Sequence, residues 1–192
     1  KYFKSREIQG NIKLARIIKE SDGYYIQIVT DHIKPKSDKQ TFVGIDMGIK
    51  YFTVTSDGEF IDNPKYLFKY LDQLRIENRK LSRMKKGGNN WKKQVKVLQL
   101  LHQKISRVRK DFLHKQSRGL ANNYSTVIRE DLNISKMVKD SKLAKHILDC
   151  SWGLFFEQLE LIAEFQYQND NYTSELLDKN RSALKKTLFG AK

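Results

Sequence analysis

A single cysteine, Cys150, and only two prolines occur in 192 residues. One cysteine excludes an internal disulfide and any zinc ribbon built on thiolates, so no zinc is expected and a reducing cytoplasm suits the chain. Few prolines, together with ten glycines, argue against a disordered or collagen-like polymer. No run approaches the roughly 18 apolar residues of a membrane span, and no charged head precedes an apolar stretch as in a signal peptide. A membrane partner is therefore not expected. The four histidines, His32, His102, His114 and His146, show no metal-ligand spacing. Acids are scarce as well, 22 against 37 Lys and Arg, for a net charge of +15.

What the chain does have is enough apolar material to fold: 39% hydrophobic residues and 11% aromatics. The length suits one compact domain with a small appended module, and a chain beginning at Lys1 leads us to expect further sequence upstream. The positive charge is confined. Lys65 to Arg118 carries 17 Lys or Arg against three acids, Asp72, Glu77 and Asp111. Such a segment presents a counter-surface for phosphates, because each contacted phosphate releases condensed counterions. Arg79, Lys80, Arg83, Lys85, Lys86, Lys92, Lys93, Lys96, Arg107 and Lys110 are the candidate contacts. The bland alternative is a solvated helical face kept soluble by lysines.

The pattern along the chain predicts an α/β fold. Ile12–Ile18 and Tyr24–Val29 form a hairpin around Ser21-Asp22-Gly23, with the glycine taken to supply a positive φ. Residues 1–40 are thus expected to be the end of an N-terminal β module, with 31–40 as its linker. Residues 41–192 then form the main domain. Phe42–Asp46, Tyr51–Thr55 and Glu59–Ile61 make a meander, with Gly48 at the first turn. The period next becomes helical, with Leu67, Tyr70, Leu71, Leu74, Leu81 and Met84 on one stripe, and a second helix runs from about Trp91 to Leu120. Gly87-Gly88-Asn89-Asn90 between them predicts an antiparallel hairpin inserted at about 65–120. The strand Ser125–Glu130 follows, then a polar stretch to about Ser141, a helical pattern into Ile147, and an amphipathic helix over about 152–165. Trp91 and Trp152 fall on apolar stripes and suit core positions better than base-stacking platforms. Cys150 suits a small buried hydrophobe.

Two acids stand out beside the polycation. Asp46 ends the apolar run Val43-Gly44-Ile45, and Glu130 ends Val127-Ile128-Arg129. Carboxylates at strand ends supply hard oxygen ligands on a rigid frame, as magnesium chemistry on nucleic acid requires. Asp131 would point to the opposite side of its strand. Gly44-Ile45-Asp46-Met47-Gly48 alone is weak evidence, since sugar-kinase and actin-like ATPases open similarly, but a second glycine-rich phosphate loop and the needed length are missing.

Five stretches in fixed order carry a resemblance: Val43-Gly44-Ile45-Asp46-Met47-Gly48-Ile49-Lys50-Tyr51-Phe52, Leu81-Ser82-Arg83, Arg109-Lys110-Asp111-Phe112-Leu113-His114-Lys115, Glu130-Asp131-Leu132-Asn133 and Ser151-Trp152-Gly153. Over about residues 40–165 the chain resembles the RuvC-like half of the transposon-encoded TnpB (OrfB) proteins, relatives of the type V CRISPR effectors. The hairpin at 12–31 resembles the end of that family's nucleic-acid-binding barrel. The resemblance implies an RNase H-like (RuvC-like) mixed sheet with an inserted basic helical hairpin, and a guide RNA and target DNA as partners. It also implies three carboxylates holding two Mg²⁺ or Mn²⁺ ions, with Asp46 matching the first and Glu130 the second. The family's third acid lies in an Asp-x-Asn-Ala context after a zinc ribbon. Here Tyr172-Thr173-Ser174 leads almost at once into Leu177-Asp178-Lys179-Asn180-Arg181-Ser182-Ala183, and aligning on Ala183 puts Asn180 in the acid's place. Asp178 is the alternative third catalytic acid. The readings left open are an RNA-guided DNA-targeting protein with an incomplete nuclease site, an active endonuclease completed by Asp178, a nuclease-dead repressor, and a decayed transposase relic.

Overall fold

The computed structural model describes residues 3, 7–31, 41–139 and 142–167, with side chains as far as Glu160. By compactness the chain divides into two units, 1–36 with 74–104, and 37–73 with 105–192. The linker expected at 31–40 lies, beyond Asp31, outside the described residues.

In the first unit, β1 (Ile12–Lys19) pairs antiparallel with β2 (Tyr24–Thr30), with an irregularity between Ile12 and Leu14. The turn closes through the Glu20 N–H donating to the Gly23 carbonyl at 2.8 Å. Gly23 is not among the glycines with positive φ, and a Cβ there would meet nothing within 4 Å. The expected reason for a glycine at that turn is therefore wrong. The corner is held by side chains instead: Tyr25 donates its hydroxyl to Asp22, and the Gln103 amide donates to Glu20 and Asp22 at 2.7 Å each. Those bonds matter because an isolated two-stranded hairpin is marginal in water, and every residue of β1 is exposed.

Two helices contribute to both units, α1 (Tyr66–Ser82) and α2 (Asn89–Asn123). Within the first unit they are joined by the turn at 83–88 and tied by Gln94, whose amide donates to the Glu77 carboxylate at 2.6 Å and to its carbonyl at 3.1 Å. Gly87 takes φ +84 in this turn, a left-handed conformation that glycine adopts without steric cost.

The second unit holds a four-stranded mixed sheet in the order β5-β4-β3-β6, formed by β3 (Phe42–Met47), β4 (Tyr51–Thr55), β5 (Phe60–Asp62) and β6 (Thr126–Arg129). The meander pairs are antiparallel, while β6 joins β3 in parallel. That pairing needs a long crossover, and residues 63–125 supply it. Val43, Ile45 and Phe52 project into a core closed by Leu113 and Leu120 of α2, by α4 (Ala144–Cys150) and by α5 (Trp152–Tyr167). At its centre Phe52 meets Phe112 and Phe155 edge-on, with ring centroids 5.0 and 5.1 Å apart, a favoured geometry of the aromatic quadrupole. A short helix, α3 (Ile134–Lys139), occupies part of the stretch read only as polar. Its Ile134, Met137 and Val138 pack on the core.

One buried ion pair joins these elements. The Asp149 carboxylate, 3% exposed, accepts from Arg109 at 2.7 Å and from the backbone N–H of Leu67 at 3.0 and 3.1 Å. It thereby satisfies an orphan donor in the first turn of α1. Removing one partner of a buried pair strands the other charge. Asp149→Ala is expected to cost about 3–5 kcal/mol in urea unfolding. A loss below about 1 kcal/mol would mean that water replaces the carboxylate.

Candidate functional site

Parallel pairing sets the geometry of the two strand-end acids. Gly44 lies opposite Ile128 and Ile45 opposite Arg129, where the pairing ends, so Asp46 and Glu130 each follow directly on the last paired residue of their chain segment. Side chains alternate between faces along a strand, and paired residues share a face. The Arg129 guanidinium stacks over Phe156 at 4.2 Å and pairs with Glu160 at 2.7 Å, which orients the Val43-Ile45-Arg129 face toward α5. Asp46 belongs with Gly44 to the opposite face. Glu130 is the first residue beyond β6 rather than its last, and it is exposed. Asp131 follows it in the loop, also exposed.

The chain around Asp46 is tightly held. Its carbonyl accepts the Thr53 hydroxyl at 2.9 Å, and Thr53 is wholly buried. At Gly48 the N–H donates to the Phe52 carbonyl, and a Cβ would stand 2.8 Å from the Tyr51 carbonyl oxygen. Only glycine makes that turn without displacing β4. Asn63 then secures the next residue by donating to the Ile49 carbonyl at 2.8 Å, and it also reaches the Cys150 sulfur at 3.3 Å. Burial pushes the Cys150 thiol up to about 11, so it is a protonated, inert packing group at neutral pH.

Carboxylates such as those of Asp46 and Glu130 are hard-oxygen donors of the kind a divalent cation takes. Among the described residues no group of three or more His, Cys, Asp or Glu is placed to hold a metal ion. Asp178 and Asn180, the third position in either alignment, lie outside the described residues.

The cations are arranged more openly. Arg79, Lys80, Arg83, Lys85, Lys86, Lys92, Lys93, Lys96, Arg107 and Lys110 are all exposed. From Leu74 to Lys104 the one acid is Glu77. The Lys80 ammonium at 2.8 Å, and after it the Gln94 amide, hold the Glu77 carboxyl below its usual range. Lys80 thus spends part of its charge locally. Among the described residues no acid pairs with Arg79, Arg83, Lys85, Lys86, Lys92, Lys93 or Lys96. Lys92 and Lys96, four apart on α2, share one face.

Sequence reasoning missed Asp149 and its pairing with Arg109. The partners of Asp149 lie 40 and 82 residues away along the chain, and no local pattern signals such a pair.

Compared with known proteins, residues 25–141 match the sequence profile of the IS605 OrfB family, described as a probable transposase. The chain is 32% identical over 176 residues to the "Putative RNA-guided DNA endonuclease InsQ" of Escherichia coli strain K12, covering 83% of this chain and 44% of that protein. It is 38% identical over 130 residues to a "Putative RNA-guided DNA endonuclease" of Streptomyces pristinaespiralis, covering 68% of this chain and 32% of that protein. The chain therefore spans less than half the length of either relative.

Proposed function

The chain belongs to the TnpB/OrfB family of IS605-type transposases, and on that premise we propose that it is the nucleic-acid-binding, RuvC-like portion of an RNA-guided DNA-targeting protein. In this reading the mixed sheet is RNase H-like and α1 with α2 is its inserted basic hairpin. The guide RNA and target DNA are its partners, read by base pairing and gripped through their phosphates.

The observation that carries the reading is the parallel pairing of Ile45 with Arg129, which leaves Asp46 one residue further along β3 and Glu130 just past β6. Asp46 and Glu130 are the residues that would hold Mg²⁺ or Mn²⁺. When bound, such an ion supplies charge against a phosphate and acidity to a water. The chain's own part is rigidity. The Thr53 hydroxyl and the Gly48 turn hold Asp46 near the end of β3, and Glu130 follows directly on the last residue of β6. With Asn180 in the place of the third carboxylate, the site lacks one negative ligand, so cleavage is impaired while binding persists.

Calorimetric titration of the 192-residue chain with Mn²⁺ tests the site. One weakly bound ion is expected, with affinity falling by at least about tenfold in Asp46→Ala and in Glu130→Ala. Identical titrations for all three proteins would overturn the assignment.

A further inference from the structure

Trp91 lies on the apolar stripe of α2, yet its side chain is half-exposed. It forms one wall of a cleft of about 320 Å³ that is also lined by Met84, Lys85, Gly88, Asn89 and Asn90. We propose that this cleft receives a single unpaired nucleobase, stacked on the Trp91 indole, while Lys85 and its neighbours take the adjoining phosphate. The proposal rests on the reading that this segment binds nucleic acid, and it adds a recognition chemistry that phosphate contacts do not provide.

The lining selects the ligand class. A free phosphate has no use for an indole and a thioether, and an apolar side chain has no use for two primary amides. A flat heteroaromatic ring with hydrogen-bonding edges uses both, because amides read base edges while an aromatic face accepts any base by stacking. No carboxylate lines the cleft, and Lys86, Lys92 and Lys93 flank it in sequence, so a phosphate backbone is favoured at its rim. A volume near 300 Å³ lies at the small end of ligand sites, which suits one base rather than a stacked pair. Duplex bases are covered on both faces and could not enter.

The cleft is built before any ligand arrives. Backbone bonds from Arg83 to Lys80, Met84 to Leu81, Gly88 to Lys85 and Lys92 to Gly88 span the turn at 3.0 to 3.3 Å. The left-handed Gly87 reverses the chain, and a Cβ on Gly88 would press to 3.2 Å against the Lys85 carbonyl oxygen. Little conformational entropy remains to be lost on stacking.

The test uses the 192-residue chain and fluorescently labelled probes of equal length: single-stranded RNA, single-stranded DNA, an abasic DNA strand and a DNA duplex. Trp91→Leu keeps apolar volume without a π face, whereas Trp91→Phe keeps a ring. Single-strand affinity is expected to fall on the order of tenfold in Trp91→Leu and to be largely retained in Trp91→Phe. Abasic and duplex affinities should not change. The strand type showing the Trp91 dependence identifies RNA or DNA as the source of the base, and equal dependence means the cleft accepts both. Trp91→Leu binding single strands like the unaltered chain, or losing affinity equally for all four probes, overturns the proposal. If it does so while charge reversal at Arg79 and Lys92 still abolishes binding, the nucleic-acid reading stands and only the base cleft falls. Should the unaltered chain bind no probe, both fall together.

Discussion

Reversing Arg79, Arg83, Lys92 and Lys96 to Glu is expected to lower affinity for a guide–target duplex on the order of a thousandfold at low salt. These four cations are exposed and have no acidic partner among the described residues, so each can release counterions on meeting a phosphate. The salt dependence provides the sharper measurement. Each contacted phosphate contributes about 0.9 to the slope of log affinity against log salt, so removing four contacts should flatten it by roughly 3 to 4. Lys80→Ala alone should do much less, because the Glu77 carboxylate at 2.8 Å already absorbs part of that charge. A quadruple variant with unchanged affinity and slope would reduce the segment to a solvated face. Filter binding from about 50 to 200 mM salt separates the two.

That distinction between Lys80 and its neighbours was not drawn from the sequence, although Glu77 stands three residues before Lys80 on one helix. What was legible followed from local periodicity. Val43 and Ile45 alternate with Gly44 and Asp46, which marks β3 and puts its acid on the side away from the core. The stripe through Leu67, Tyr70, Leu71, Leu74, Leu81 and Met84 marks α1, and Leu74 is buried while the other five are half-buried. The single cysteine on that reading was a buried hydrophobe, and Cys150 is one. The failures involve information that is not local. Helix α3 has only six residues and is held by packing of Ile134 and Met137 rather than by propensity. Glu130 falls one residue beyond its strand, since the pairing of β6 with β3 ends at Arg129 and Ile45. Gly23 carried the composition of a turn, but the conformation there is set by Tyr25, Asp22 and the distant Gln103. The Asp149–Arg109 pair is likewise invisible until the chain is folded.

Ser151-Trp152-Gly153 shows how a recognisable motif can be structural. Ser151 ends α4 in the left-handed region at φ 54, and its hydroxyl caps the Leu148 carbonyl at 3.0 Å. The chain then enters α5 with Trp152 buried against the core. A tight corner between two helices needs such a residue. The Arg109-Lys110-Asp111-Phe112 stretch divides similarly. Arg109 and Phe112 face inward to Asp149 and Phe52, while Lys110 is exposed and available to a phosphate.

Guide-directed cleavage by a protein that carries this chain at the full length of its relatives, supplied with guide RNA, a matching duplex and Mg²⁺ or Mn²⁺, is expected to be weak or absent. In the proposed reading Asp46 and Glu130 would provide two negative ligands, and Asn180, aligned where the resemblance puts the family's third acid, is neutral. Charge aimed at the developing oxyanion is worth more in the transition state than in the bound complex. Losing one such group commonly costs about 10²- to 10³-fold in rate, while phosphate contacts along the hairpin keep the target bound. Asn180→Asp should therefore raise cleavage by a comparable factor without tightening binding. Its gain should vanish when Asp46→Ala is added. The competing arrangement makes Asp178 the third ligand. It requires robust cleavage by the unaltered protein, lost equally in Asp46→Ala and in Asp178→Ala, with Asn180→Asp adding nothing. That result would make the chain part of an active endonuclease and overturn the incomplete-site reading, leaving the assignment of Asp46 and Glu130 intact.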